Sequence, residues 1–166
     1  MNEDQFRAAA ARIKLLLTDV DGVLTDNGVY YSDAGEVMKR FSIRDGMGVE
    51  RLRKLCGIDT GIVTGEMSPS VAQRADKLRI RELHLGVKDK LGRLEEIRLR
   101  LQLDWPEIAY IGDDVNDLEV LERAGIAACP SDAMPQVKKI AHYICENKGG
   151  HGAFRDLSEW LIAMRQ

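Results

Sequence analysis

A chain of 166 residues, 45% hydrophobic and 31% charged, has the length for one domain with a real core and the make-up of an ordinary globular protein. Its net charge of -3 and sequence pI near 5.7 leave no basic footprint for nucleic acid. No apolar run approaches the ~18 residues of a membrane span.

The opening MNEDQFRAAAARIK is acidic and then amphipathic, without the apolar stretch of a secretory signal. Leu15-Leu16-Leu17 runs into Thr18-Asp19-Val20-Asp21-Gly22, which reads as a buried strand ending in two aspartates on one face. Gly28 to Tyr31 and Glu36 to Phe41, around the turn Ser32-Asp33-Ala34-Gly35, predict a hairpin. Val49, Leu52, Leu55 and Cys56 give a helix from Asp45 that Gly57 ends. Thr60–Thr64 is a short buried strand closed by Gly65, and Ser68-Pro69 starts a helix through Leu78. Leu83–Leu85 follows as a minor strand, then a helix over Lys88–Leu101 and a strand over Ile108–Ile111 that ends in Gly112-Asp113-Asp114. A helix over Val115–Ala124, a strand over Ile126–Ala128, a helix over Pro135–Ala141, a strand over Tyr143–Cys145 and a closing helix with Leu157, Trp160, Leu161 and Met164 inward complete the chain.

Strands alternating with helices in this rhythm predict an α/β fold, a doubly wound, mainly parallel Rossmann-like sheet, with a hairpin after the first strand. Residues 1–166 are expected to form one domain. The odd count of cysteines (Cys56, Cys129, Cys145) suits free thiols in a reducing compartment, and the expected location is cytoplasmic.

Such a sheet gathers ligands at the carboxyl ends of its strands. Asp19 and Asp21, Thr64, Lys90, and the group Asp113, Asp114 and Asp117 would all fall on that one edge. Each has a plain structural use. Thr64 can cap a turn, and Asp113 and Asp114 can cap the helix that follows. Lys90 is a cation at a helix N-terminus, opposed by the helix dipole unless an anion stands near. Crowded carboxylates call for a hard divalent cation such as Mg2+. The chemistry that uses the whole set is phosphoryl transfer through an aspartyl phosphate.

In that order, DVDGVLT, VTG, Lys90 and GDDVND resemble the four motifs of the haloacid dehalogenase superfamily of phosphatases, over nearly the whole chain. The resemblance implies Asp19 as nucleophile and Mg2+ ligand. It implies Asp21 as acid and base, with its backbone carbonyl on the metal, and Asp113 as the third protein ligand. Thr64 and Lys90 would hold phosphoryl oxygens, and Asp114 and Asp117 would position Lys90 or metal-bound water.

Only 42 residues separate Asp21 from Thr64 and 25 separate Thr64 from Lys90, too few for an inserted cap domain of ~50 residues or more. The hairpin, FSIRDGMG (Phe41 to Gly48) and GGHGAFR (Gly149 to Arg155) are similar to the small capless phosphatases of 3-deoxy-ulosonic acid metabolism, best known for acting on 3-deoxy-D-manno-octulosonate (KDO) 8-phosphate. Those are homotetramers in which a neighbouring subunit covers the site. The resemblance makes Ser42, Arg44, Asp45, Gly46, Gly65, Glu66, Arg74 and Lys77 candidate substrate contacts, with Arg74 suited to a carboxylate. Glu66 departs from the arginine expected of the octulosonate enzymes. With Arg74 and Lys77 at their spacing, it is similar to the phosphatase acting on 2-keto-3-deoxy-nonulosonate (KDN) 9-phosphate. The octulosonate phosphatase is the first reading and the nonulosonate phosphatase the alternative. His151, in the glycine-rich stretch, reads as a loop residue, and Gly149–Gly152 as a tight backbone passage near a subunit interface.

Two readings come from other classes. A receiver domain of two-component signalling shares the fold and the acidic pair, a threonine and a lysine, but places its acidic pair first. A non-catalytic oligomerisation module would tolerate decay of Asp19, Asp21 or Lys90, and all three are present.

Overall fold

A computed structural model describes residues 2–166. Six strands form one parallel sheet: β1 (Leu15–Thr18), β4 (Asp59–Val63), β5 (Glu82–His84), β6 (Ile108–Ile111), β7 (Ile126–Cys129) and β8 (Tyr143–Ile144), in the order β5-β4-β1-β6-β7-β8. The chain winds outward from β1 to β5 and then returns to lay β6 on the other side of β1. That reversal opens a crevice between β1 and β6, the usual place for a ligand in such a sheet. β2 (Val29–Ser32) and β3 (Gly35–Lys39) make a separate antiparallel hairpin, so the residues between β1 and β4 are spent on it and on α2 (Ile43–Cys56).

The three leucines of β1 are buried because both faces of the sheet are covered. On one face Leu16, Ile62, Ala109 and Ile111 pack with α1 (Glu3–Arg12), α2, α3 (Pro69–Lys77) and α7 (Ala153–Met164). On the other, Leu15, Leu17, Val63 and Tyr110 pack with α4 (Lys90–Arg100), α5 (Leu118–Arg123) and α6 (Pro135–Ile140). Cys56, Cys129 and Cys145 are free thiols. No helix among the described residues is long and apolar enough to cross a membrane.

Three details depart from the sequence reading. The amphipathic opening forms α1, with Asn2 and Gln5 in a capping box. The helix expected from Val115 begins as a 3-10 turn over Val115–Asp117, because the Asp114 carboxylate caps the Val115 amide and the Asp117 side chain reaches back. Most consequentially, β1 stops at Thr18, before the aspartates. Asp19 N–H still donates to Ile111 O (3.0 Å), but the amides of Val23, Leu24 and Thr25 all turn back to Val20 O. Asp21 therefore stands in a turn, not on the strand face beside Asp19.

Candidate active site

The crevice holds a cavity of about 350 Å3 lined by Asp19, Asp21, Asn27, Thr64, Gly65, Glu66, Asp113, Asp114, Val115 and Asn116. This size falls within the usual range for small-molecule sites. A larger cavity, about 610 Å3, lies at the opposite ends of β1, β4 and β5; arginines 53, 79 and 81 line it and it contains none of the carboxylates of the crevice.

The floor is built on the sheet. Lys90, the first residue of α4, is buried and places its Nζ 3.0 Å from Asp19 and 2.7 Å from Asp117. Burial opposes its charge, yet the two carboxylates prevail and hold its pKa above the ordinary lysine value. The anion required by a cation at this helix N-terminus is thus present twice. Asp117 is fully buried and saturated: Oδ1 accepts from Lys90 and from the Tyr110 hydroxyl (2.6 Å), and Oδ2 from the Asp113 amide (3.1 Å). Tyr110 is buried as well, and its own pKa is raised well above the ordinary value by burial and by Asp117.

Asp19 Oδ1 accepts from the Val20 amide (2.7 Å). Its pKa is pushed up to about 7, first by burial and then by the charge of Asp117, against the pull of Lys90. Asp113, held by Asn27 Nδ2 at 3.2 Å, is pushed up to about 6 by burial and by Asp117 and Asp114. Among the described residues, Asp19, Asp113 and Asp117 each bring one carboxylate oxygen within 4.8 Å of the others. Three carboxylates against one lysine leave an excess of negative charge on a hard, all-oxygen donor set, which fits a divalent cation of the magnesium kind. With Asp117 saturated, Asp19 and Asp113 are the side chains free to bind it.

Close packing fixes this turn. Gly22 has φ +84°, and a Cβ there would sit 1.9 Å from Asp113 Oδ2. A Cβ on Gly149 would sit 1.9 Å from Gly22 O, so the glycine-rich segment is the tight passage expected of it, pressed on the catalytic turn and bonded to it by Gly150 N–H to Val23 O (2.9 Å). His151 faces Arg40 (3.0 Å), outside the cavity.

The rim comes from loops. Thr64, one residue past β4, is buried and accepts from the Glu66 amide, leaving its hydroxyl proton to donate into the cavity. Asp21 is gripped by Lys39 from the hairpin, with Nζ at 2.7 Å from each carboxylate oxygen. Asp114 lines the cavity, but its carboxylate is spent on the Val115 amide, not on Lys90.

The expected sugar contacts divide. Gly65 and Glu66 line the cavity. Ser42, Asp45, Gly46 and Arg74 instead share a small neighbouring groove with Leu24 and Phe41. There Arg74 donates to Ser42 O (2.8 Å), lies over the Phe41 ring and presses on Gly46. Asp45 is buried, with its Oδ1 on the Arg155 amide (2.9 Å) and its Oδ2 without a partner. Arg44 and Lys77 are exposed and line neither space. Sequence reasoning missed Asn27, Lys39 and Tyr110. Tyr110 alone carried a signal, as a phenol in a fully apolar strand that needs a buried partner.

Residues 82–155 match the family model described as haloacid dehalogenase-like hydrolase. The 3-deoxy-D-manno-octulosonate 8-phosphate phosphatase KdsC of Yersinia pestis is 39% identical over 92% of this chain and 81% of that protein. The crystal structure of the Moraxella catarrhalis 3-deoxy-D-manno-octulosonate 8-phosphate phosphatase, in complex with magnesium, phosphate and KDO, superimposes with a TM-score of 0.94 at 33% identity, covering 99% of this chain and 94% of that one. The cobalt-bound enzyme of Haemophilus influenzae gives 0.91 at 32% identity, covering 95% and 91%. With its acidic crevice at the β1–β6 switch point, the chain belongs to the 3-deoxy-D-manno-octulosonate 8-phosphate phosphatase family of haloacid dehalogenase-like hydrolases.

Proposed function

We propose that this chain is a Mg2+-dependent phosphatase that hydrolyses KDO 8-phosphate through an aspartyl phosphate on Asp19. The observation that carries the reading is the buried pairing of Asp19 with Lys90 on the floor of the crevice, with Asp113 beside it. Asp19, Asp113 and the backbone carbonyl of Asp21 would hold the metal, which when bound offsets charge on the phosphoryl oxygens.

In the first step an Asp19 carboxylate oxygen forms a bond to phosphorus as the ester P–O bond breaks, and the proton on Asp21 passes to the leaving sugar oxygen. Lys90 and the Thr64 hydroxyl face the phosphoryl oxygens, where negative charge spreads. In the second, a water gives a proton to Asp21 and bonds to phosphorus, the Asp19–phosphorus bond breaks, and inorganic phosphate leaves. Asp117 keeps Lys90 aimed, and Tyr110 keeps Asp117 aimed.

A second reading has its own observation. Glu66 stands on the cavity lining, where a carboxylate accepts hydrogen bonds from added hydroxyls and so favours a nine-carbon acid such as KDN 9-phosphate. Phosphate release from the two esters side by side, with Mg2+, decides between them. Preference for KDO 8-phosphate upholds the first reading and places the enzyme in the supply of lipopolysaccharide sugar. Preference for the nine-carbon ester replaces it with the second.

We also propose a homotetramer in which a neighbour covers the open crevice, working in the cytoplasm. Tyr30, Tyr31, Val37 and Met38 of the hairpin are exposed together, with Met67 and Ile43 nearby in sequence to the rim, and a lone two-stranded hairpin is at best marginal in water. Light scattering at working concentration that shows only monomer overturns this assembly.

A further inference from the structure

The hairpin is inverted in polarity. Its apolar side chains Tyr30, Tyr31, Val37 and Met38 face outward, while Lys39, a residue that elsewhere keeps its ammonium in water, is buried with a side chain only 1% exposed. The ammonium holds both oxygens of Asp21 at 2.7 Å and stands 3.8 Å from Glu36 Oε2. Glu36 Oε1 in turn accepts from the Ser68 hydroxyl at 2.5 Å, at the end of the loop that begins with Thr64. One buried charge thus ties the catalytic turn, the hairpin and the Thr64 loop together. Stability alone is a poor account of it, since a well-packed apolar residue commonly serves at least as well as a buried ion pair.

We propose that Lys39 is a positioning residue for the reaction, fixing where the Asp21 carboxylate stands over the cavity and making the hairpin part of the catalytic apparatus. The proposal rests on the reading of Asp21 as the proton-transfer group. Lys39 takes no part in bond making. Its grip orients the side chain that, as the acid, delivers a proton to the leaving oxygen and, as the carboxylate so formed, later receives one from water.

The test compares wild type, Lys39→Met, Asp21→Asn and the double variant on two esters. The leaving group of KDO 8-phosphate needs a proton, whereas 4-nitrophenyl phosphate releases a stable anion. Lys39→Met is expected to lower kcat on the sugar ester by about a hundredfold, with KM within about threefold, while single-turnover release of 4-nitrophenolate stays near wild type. Asp21→Asn should lose at least as much on the sugar ester, and the double variant should be no slower on it than Asp21→Asn alone. Equal losses on both esters, no loss on the sugar ester, or a further loss in the double variant overturns the role of Lys39. If Lys39→Met does not fold, Lys39→Gln, which keeps a polar side chain at that position, takes its place in the same comparison on both esters. The double variant leaves no unpaired charge at position 21. Full activity of Asp21→Asn on the sugar ester would instead remove the reading of Asp21, an outcome separate from any result on Lys39.

Discussion

Floor and rim of the crevice are held by different means. The floor, Asp19, Lys90, Asp113, Asp117 and Tyr110, stands on the ends of β1 and β6 and the start of α4, with its partners buried under the sheet's own core. The rim, Asp21, Thr64 and Glu66, hangs from turns, and its order depends on a hairpin that packs little of its own surface. The nucleophile, the lysine and the carboxylates about them sit on the sheet, whereas the proton-transfer group Asp21 and the phosphoryl contact Thr64 share the loop-borne rim with Glu66, the rim residue placed to meet the variable part of a substrate.

The comparison breaks most sharply at Asp19. Asp19→Asn keeps the shape and removes the nucleophile, so phosphate release should fall by about 10⁴ or more with an unchanged circular dichroism spectrum. Retained turnover would sink the covalent mechanism. Lys90→Met leaves the buried Asp117 and Asp19 carboxylates facing each other. Urea unfolding should show a loss of about 3–5 kcal/mol beside the loss of activity, and a change under ~1 kcal/mol would mean the floor is not the rigid half.

The anchorage behind the rim has a pH signature. Burial, offset in part by the bond from the Arg155 amide, pushes the Asp45 carboxyl up to about 6 from an ordinary value of 3.8. The folded protein therefore binds that proton more tightly than the unfolded chain. The stability it adds is present below about pH 4 and is lost as pH rises through about 6. Asp45→Asn should flatten this decline by about 2 kcal/mol in denaturation midpoints taken between pH 4 and 7, and an unchanged slope would dismiss the assignment. Smallest is the effect at the rim itself: Glu66→Arg should shift the ratio of kcat/KM toward the eight-carbon ester by about tenfold, leaving turnover of 4-nitrophenyl phosphate alone.

This division also explains what the sequence made legible. Sheet, helices and the floor residues lie in short motifs whose spacing follows from local periodicity, so Asp19, Lys90 and Asp113 could be placed on one edge before any coordinates. Lys39 could not, because it is one of 24 lysines and arginines and its burial arises only when the hairpin folds over the turn. The surroundings of Arg74 were hidden for the same reason. Its guanidinium suits a substrate carboxylate, and in this chain one of its five N–H donors is on the Ser42 carbonyl, with the Phe41 ring beneath it. The unexpected end of β1 at Thr18 is likewise a tertiary outcome, set by how far β4 and β6 run beside it.

The contact between Gly149 and Gly22 has a consequence for synthesis. The catalytic turn is made early in translation, yet the backbone that braces it belongs to a segment made long afterwards. The turn is therefore fully braced only once the chain has been made through Gly150.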